Sequence, residues 1–73
     1  MREHNMIGWG LARRRRVVVN LTTGAALDGI LWRVTRGLLV LRNATLHEPG
    51  AQPLPHDGEV LVELKRVAFT QVL

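Results

Sequence analysis

The sequence predicts an all-β protein in which five short strands form one strongly bent antiparallel sheet that curls into a small barrel. The first observation is that runs of alternating apolar residues begin at Val17 and recur to the end of the chain, as in strands with one buried face. The breaks between these runs are short and suit tight reversals. A glycine, Gly29, lies inside the second run, and an interior glycine is typical of a sharp bend or a close backbone approach.

Composition limits the chain to one small domain with an aliphatic core. The chain has 73 residues, of which 47% are hydrophobic, with two tryptophans, one phenylalanine, no tyrosine and no cysteine. A chain of this size buries only about 60% of its unfolded surface, and no disulfide is available to stabilise it. Small domains of this kind often gain stability by association, so the sequence favours binding to copies of itself or to a larger body.

Residues 1–16 are predicted to form an irregular basic arm, and residues 17–73 a single β-barrel domain. Glycine at positions 8 and 10 weakens any helix in the arm. Trp9 either covers an open end of the core or serves as an interaction anchor. The arginine run that follows is a candidate contact for nucleic acid or an acidic surface, together with one arginine of a later turn; the residues are Arg13, Arg14, Arg15, Arg16 and Arg36. The alternative is a solvated, charged strand entry that protects a sheet edge.

The first two strands are predicted from period-2 alternation. Val17, Val19 and Leu21 share one face of the first strand, and a turn at Thr22–Gly24 follows. In the second strand, one face carries Leu27, Gly29 and Leu31, and the other carries Ile30, Trp32 and Val34.

The remaining strands are separated by one short turn, one loop and one very short break. A turn at 35–37 leads to a third strand with Leu39 and Leu41 on one face, and Asn43 is expected to end it. Residues 47–57 contain three prolines and are predicted to be a loop, because proline lacks the N–H that a ladder needs. The fourth strand is expected over Val60, Val62 and Leu64, with Lys65–Arg66 as a 3₁₀-like or sharp-corner connection before the fifth strand at 67–73.

The sequence contains little evidence for an enzyme active site. Serine and cysteine are absent, so neither can act as a nucleophile. His47 and Glu48, like His56 and Asp57, are adjacent on an extended chain, where neighbouring side chains point apart, and no histidine spacing fits zinc. We expect no catalytic residue, no metal site, no cofactor and no small-molecule substrate. No apolar run approaches the roughly 20 residues of a membrane span, and no secretory signal is expected.

The strand order and the glycine bend resemble the Sm-like fold, a small SH3-like barrel. The matching segments cover about three-quarters of the chain: the alternating run from Val17, the Gly29-x-Leu31 bend, Leu39-Val40-Leu41 with Arg42-Asn43-Ala44, and Gly58–Val67 with Phe69. The resemblance implies pairing of the fourth strand of one subunit with the fifth of the next. The RNA-binding residues of that family have no counterpart, because the turn at 35–37 lacks Asp and Asn and the turn at 64–66 lacks glycine.

The chain also resembles small Sm-like proteins encoded among the virion structural genes of actinobacterial tailed phages. The resemblance implies a non-enzymatic minor virion component, at the capsid or the head–tail region, assembled in the host cytoplasm. Its partners would be other virion proteins or copies of itself, with nucleic acid contact through the arginine run. Otherwise the protein would be cytoplasmic.

The residues predicted to form a protein interface are apolar and lie on the arm and the strands: Trp9, Ile30, Trp32, Val34, Val60, Val62, Phe69 and Val72. Two other functions remain open. One is an RNA-binding homo-oligomeric ring of Sm-like type, and the other is a DNA-binding or regulatory barrel that uses the basic arm.

Overall fold

The computed structural model describes residues 9–73 and has the all-β architecture that the sequence predicts. Residues 9–12 are helical and lead into the sheet. The elements that follow are β1 (Arg16–Leu21), β2 (Ala26–Thr35), β3 (Leu38–His47), β4 (Leu54–Glu63), a 3₁₀ helix (Leu64–Arg66) and β5 (Val67–Val72). The short connection predicted at Lys65–Arg66 is a 3₁₀ helix, and it begins one residue earlier, at Leu64. The first eight residues of the predicted arm lie outside the described part of the chain.

The five strands form one antiparallel sheet in the order β4-β3-β2-β1-β5. Consecutive strands from β1 to β4 are neighbours, and the chain then crosses to place β5 beside β1. Within residues 9–73, β4 and β5 therefore lie at the two edges of the sheet, and no ladder joins them. Closure of the sheet into a barrel stays a prediction.

The inner face of the sheet carries an aliphatic core, as composition predicts. Leu31, Leu39 and Leu41 are fully buried there, together with Val17 and Val19. Cross-strand pairing puts these positions together, because Val17 lies opposite Gly29 and Leu31 opposite Leu41. The predicted alternation of β1 and the first half of β2 is confirmed.

The reversals at 22–24 and 35–37 are also where the sequence places them. In the first, the N–H of Gly24 donates to the Leu21 carbonyl over 3.0 Å. In the second, Arg36 and Gly37 have φ of 50° and 76°. Positive φ at both central residues is what a type I′ hairpin turn requires, so this turn tightly joins β2 to β3.

Gly29 is the site of close backbone approach that its position in β2 predicts. A Cβ atom built there would lie 3.0 Å from the Arg42 carbonyl oxygen and 3.1 Å from Ala44 Cα. The β2–β3 register shifts between Asp28 and Ile30, which is the sign of a bulge that bends a strand. Across from it, Asn43 has φ of 51° and continues β3 through the bend instead of ending it.

A second bulge overturns the predicted grouping of Val34 with Ile30 and Trp32. The β2–β3 register shifts again between Leu31 and Arg33, so that Val34 lies opposite the buried Leu39 and packs against the core. Simple alternation fails here because one extra residue in a strand moves every later side chain to the other face.

The predicted loop at 47–57 is shorter than expected, since β4 already begins at Leu54. Pro55 lies within β4, opposite Thr45 of β3. Proline is tolerated there because β4 is an edge strand, and the missing N–H can face away from the ladder. Three prolines therefore exclude a central strand but not an edge strand.

Candidate interaction surface

The structure gives each arginine of the run a different environment. Arg14 adopts φ of 65°, and its N–H donates to the Leu31 carbonyl over 2.7 Å, which fixes the entry to β1. Arg15 donates from Nη2 to the Leu73 carbonyl at 2.9 Å. Arg16 donates to Asp28 Oδ1 at 2.9 Å. Among residues 9–73, the Arg13 side chain forms no hydrogen bond, ion pair or cation–π contact, whereas the Arg14 side chain lies over Trp32.

Trp32 lies between two arginines on the outer face of the sheet. The guanidinium carbon of Arg14 is 3.9 Å from the ring centroid, and that of Arg42 is 3.8 Å from it. Both guanidinium groups therefore stack on the indole. Arg42 is held in turn by Glu59, whose Oε2 accepts from Nε and Nη2 at 3.1 and 2.9 Å.

This Arg14–Trp32–Arg42–Glu59 stack changes the role expected for Trp32. Cation–π contacts contribute about 0.5–1 kcal/mol each at exposed sites, and the stack joins the arm to β2, β3 and β4. Because two guanidinium groups already contact the indole, Trp32 is less open to a partner than the sequence indicates. The sequence indicated an aromatic anchor at this position, but the stacking partners come from residues 18 and 10 positions away and could not be predicted.

A second polar cluster crosses three strands of the same face. Asp28 of β2 pairs with Arg16 of β1, and its Oδ2 lies 2.5 Å from His47 Nε2 of β3. The sequence places His47 at the start of the predicted loop, and that placement is wrong, although its side chain is still 43% exposed. The residue is half-buried at the end of β3, because β3 extends beyond Asn43.

The predicted apolar interface residues of the strands differ in exposure. Val34, Val60 and Val62 face or contact the core, and Val62 is only 6% exposed. Ile30 is half-buried. Phe69 and Val72 of β5 are 60% and 42% exposed and remain open to a partner.

The structure adds exposed apolar residues that the sequence did not single out. Leu54 and Leu61 of β4 are 53% and 60% exposed, and Leu73, directly after β5, is 61% exposed. Leu61 lies opposite Val40, which is buried but stands outside the core cluster. Alternation with Val60 and Val62 was the sequence signal that could have placed Leu61 on the outer face.

Trp9 is half-buried, packs against the core cluster and borders two grooves. The first groove has a volume of about 360 Å³ and is lined by Trp9, Gly10, Arg13, Arg33, Val34 and Thr35. The second, of about 270 Å³, is lined by Trp9, Leu64 and the first four residues of β5. Within it, Thr70 Oγ1 is buried and has no hydrogen-bond partner among the described residues.

The 3₁₀ corner carries its own charge cluster. Arg66 Nε donates to Glu63 Oε1 at 2.7 Å, and Lys65 Nζ lies 3.8 Å from Oε2 of the same carboxylate. The hydrogen bond from Arg66, followed by the positive charge of Lys65, lowers the pKa of Glu63 below its ordinary value of 4.5. The basic residues of this corner are thus partly neutralised within the chain.

Two further observations concern metal binding and membrane crossing by the described residues. No three histidine, aspartate or glutamate side chains within 9–73 come together in a way that could hold a metal ion. No helix in the same part of the chain combines the length and apolar character needed to cross a membrane.

Comparisons with known proteins do not assign the chain to a family. No family model matches the sequence, and no curated protein matches it significantly. The Sm-like and phage-protein resemblance therefore stays a prediction that depends on the quoted segments and on the strand order.

Proposed function

We propose that this protein is a non-enzymatic docking module that binds its neighbours through the two edges of its sheet. The observation that carries the proposal is the position of its exposed apolar side chains. Residues 9–73 have six large hydrophobic side chains that are exposed, and five lie on or directly after an edge strand; the six are Leu11, Leu54, Leu61, Phe69, Val72 and Leu73. Exposed apolar residues concentrated in this way favour an interaction site.

The backbone of the edges supports the same function. Each edge strand presents a row of N–H and C=O groups that no strand of the described chain pairs with. β5 contains no proline, and β4 contains only Pro55, near its beginning. Proteins usually protect such edges, whereas here hydrophobic side chains flank them, which suits pairing with a further strand.

The first neighbours that we propose are copies of this chain. β4 and β5 lie at opposite edges of one sheet. If β4 of one copy pairs with β5 of the next, each added copy still leaves one free edge, so the same contact can be repeated. The Sm-like resemblance implies the same pairing and the same small barrel. The groove beside β5 offers space for a side chain from that copy.

We further propose that the repeated assembly is a minor component of a tailed-phage virion, docked at the capsid or the head–tail region. This part of the proposal depends on the resemblance stated above. A small domain without disulfides that exposes apolar edges suits a site where a larger body covers them.

The proposal is tested by measuring the mass of the purified chain by light scattering, from about 1 to 200 µM. We expect an oligomer, and we expect Leu61→Lys and Phe69→Lys to give a monomer because a charge at an edge opposes strand pairing. Leu11→Lys is the matched control, since Leu11 is 76% exposed and lies on the helical segment. A wild-type chain that stays monomeric throughout would contradict the proposal.

The alternative function is an RNA-binding ring, and the same measurement with U-rich RNA distinguishes it. Phosphate-dominated binding weakens steeply as salt rises. An oligomer that gains mass with this RNA at physiological salt would support the alternative, and an oligomer that does not would support docking. The turn at 35–37 has no carboxylate or amide side chain, and Arg14, Arg15 and Arg16 already have partners within the chain.

A further inference from the structure

The groove beside Trp9 combines two cations with an apolar wall. Arg13 comes from the arm and Arg33 from β2, and both line the same groove of about 360 Å³. Trp9 and Val34 line it too, and both pack against the core. The two arginines are 20 positions apart in the sequence, so only folding brings them together.

The charge of this groove is not balanced within the described chain. Arg16, Arg42 and Arg66 each have a carboxylate partner, whereas neither Arg13 nor Arg33 forms an ion pair among residues 9–73. Among residues 9–73, no acidic residue lines the groove. A guanidinium group binds a carboxylate through short, charge-assisted hydrogen bonds, so an anionic group is the complementary ligand here.

We propose that this groove binds an acidic segment of a partner protein. A carboxylate would be held by Arg13 and Arg33, and an apolar side chain next to it would contact Trp9 and Val34. The inference deepens the docking function and depends on it, because it names the chemistry of a second contact away from the two strand edges.

Two features favour a peptide over nucleic acid. A phosphate backbone is usually bound by several cations arranged in a row. Here Arg14, Arg15 and Arg16 already have contacts within the chain, so Arg13 and Arg33 form a compact cationic site. Bases also stack on open aromatic faces, and the indole of Trp32 already carries two guanidinium groups. A short carboxylate-bearing segment fits what remains.

The experiment is a ¹H–¹⁵N titration of the full chain, in which the two indole N–H signals report separately on Trp9 and Trp32. The probe is the acetylated, amidated peptide Glu-Glu-Leu-Glu-Glu, with its glutamine counterpart and an eight-residue oligothymidylate as comparisons. We expect the acidic peptide to shift the Trp9 signal progressively, with a much smaller effect on Trp32. The glutamine peptide should shift neither.

Variants identify the groove as the site. Arg13→Gln and Arg33→Gln should each weaken binding of the acidic peptide at least about tenfold, the loss expected for a hydrogen bond to a charged group. Arg36→Gln is the control, because Arg36 is exposed in the adjacent turn and does not line the groove.

Three outcomes would overturn the inference: no shift of Trp9 by the acidic peptide, an equal shift by the glutamine peptide, or a shift by the oligothymidylate alone. None of them affects the edges, so self-association of the wild-type chain would remain. Conversely, loss of self-association in Leu61→Lys with peptide binding retained would separate the two contacts.

Discussion

The two faces of the same sheet are built in different ways. The inner face is aliphatic, and among residues 9–73 no polar or charged side chain is buried. The outer face carries the Arg14–Trp32–Arg42–Glu59 stack and the Asp28 cluster, whose members stay partly exposed. The difference teaches that most of the burial that stabilises this fold lies on the inner face, with Val40 buried on the other side, while the outer face positions charged groups.

The energies of the two faces differ for a physical reason. A fully buried aliphatic side chain contributes about 1.5–3 kcal/mol through removal from water. Exposed ion pairs contribute only about 0–1 kcal/mol because water screens them and ordering long side chains costs entropy. Substitutions on the two faces should therefore differ in size, and the following experiments test that difference from the largest effect to the smallest.

The strongest test is truncation of the inner face. Leu39 is fully buried at the centre of the sheet, between β2 and β4. Leu39→Ala should lower the free energy of unfolding by about 2–5 kcal/mol, since it leaves a cavity as well as losing apolar contact. Urea denaturation followed by tryptophan fluorescence measures the change.

The matched control for that variant is Leu61→Ala on the outer face. Leu61 is 60% exposed, so its truncation should change the free energy of unfolding of the monomer by only about 0.5 kcal/mol. Equal losses in the two variants would contradict the contrast between the faces.

The next test concerns the bend of β2 at Gly29. Gly29→Ala would place a Cβ atom 3.0 Å from the Arg42 carbonyl oxygen and 3.1 Å from Ala44 Cα, and backbone atoms cannot rotate away. We expect a loss of about 1–3 kcal/mol, the usual cost of overpacking, in the same urea measurement.

Gly10→Ala serves as the control for Gly29→Ala. Among residues 9–73, a Cβ atom at Gly10 would have no atom from outside its own helical segment within 4 Å, and alanine favours the helical segment. Its stability should be unchanged or slightly higher, and a loss as large as that of Gly29→Ala would mean that crowding at the bend is not the cause.

The smallest effect is expected on the outer face. Arg14→Gln removes one of the two cations that cover Trp32 and should cost about 0.5–1 kcal/mol. It should also change the Trp32 indole signal in a ¹H–¹⁵N spectrum. Arg13→Gln is the neighbouring control, which should leave that signal in place and move the signal of Trp9, since Arg13 and Trp9 line the same groove.

The strands and turns could largely be predicted because their causes are local. Alternation identified the inner positions of β1 and of β2 as far as Leu31, and Gly29 correctly marked a close approach. The face of Val34 and the start of β4 could not be predicted in this way. The first depends on a bulge created by pairing with β3, and the second depends on β4 having an edge position that tolerates Pro55.

The candidate surfaces were predicted only in part. The sequence singled out the arginine run, Trp32 and Phe69, but treated the four arginines as one group. Their separate environments depend on residues far along the chain, such as Trp32 for Arg14 and Leu73 for Arg15. The groove shared by Arg13 and Arg33 was not foreseen for the same reason.

By itself, the sequence determined the all-β class, the aliphatic inner face and the tight turns, because side-chain alternation and backbone preference act between near neighbours. Tertiary structure alone decided which strands became edges, where the bulges reverse a face and which arginines are already engaged. The edge strands, the bulges and the arginine contacts all depend on pairing between distant segments. A local sequence pattern does not predict which strand will lie beside another.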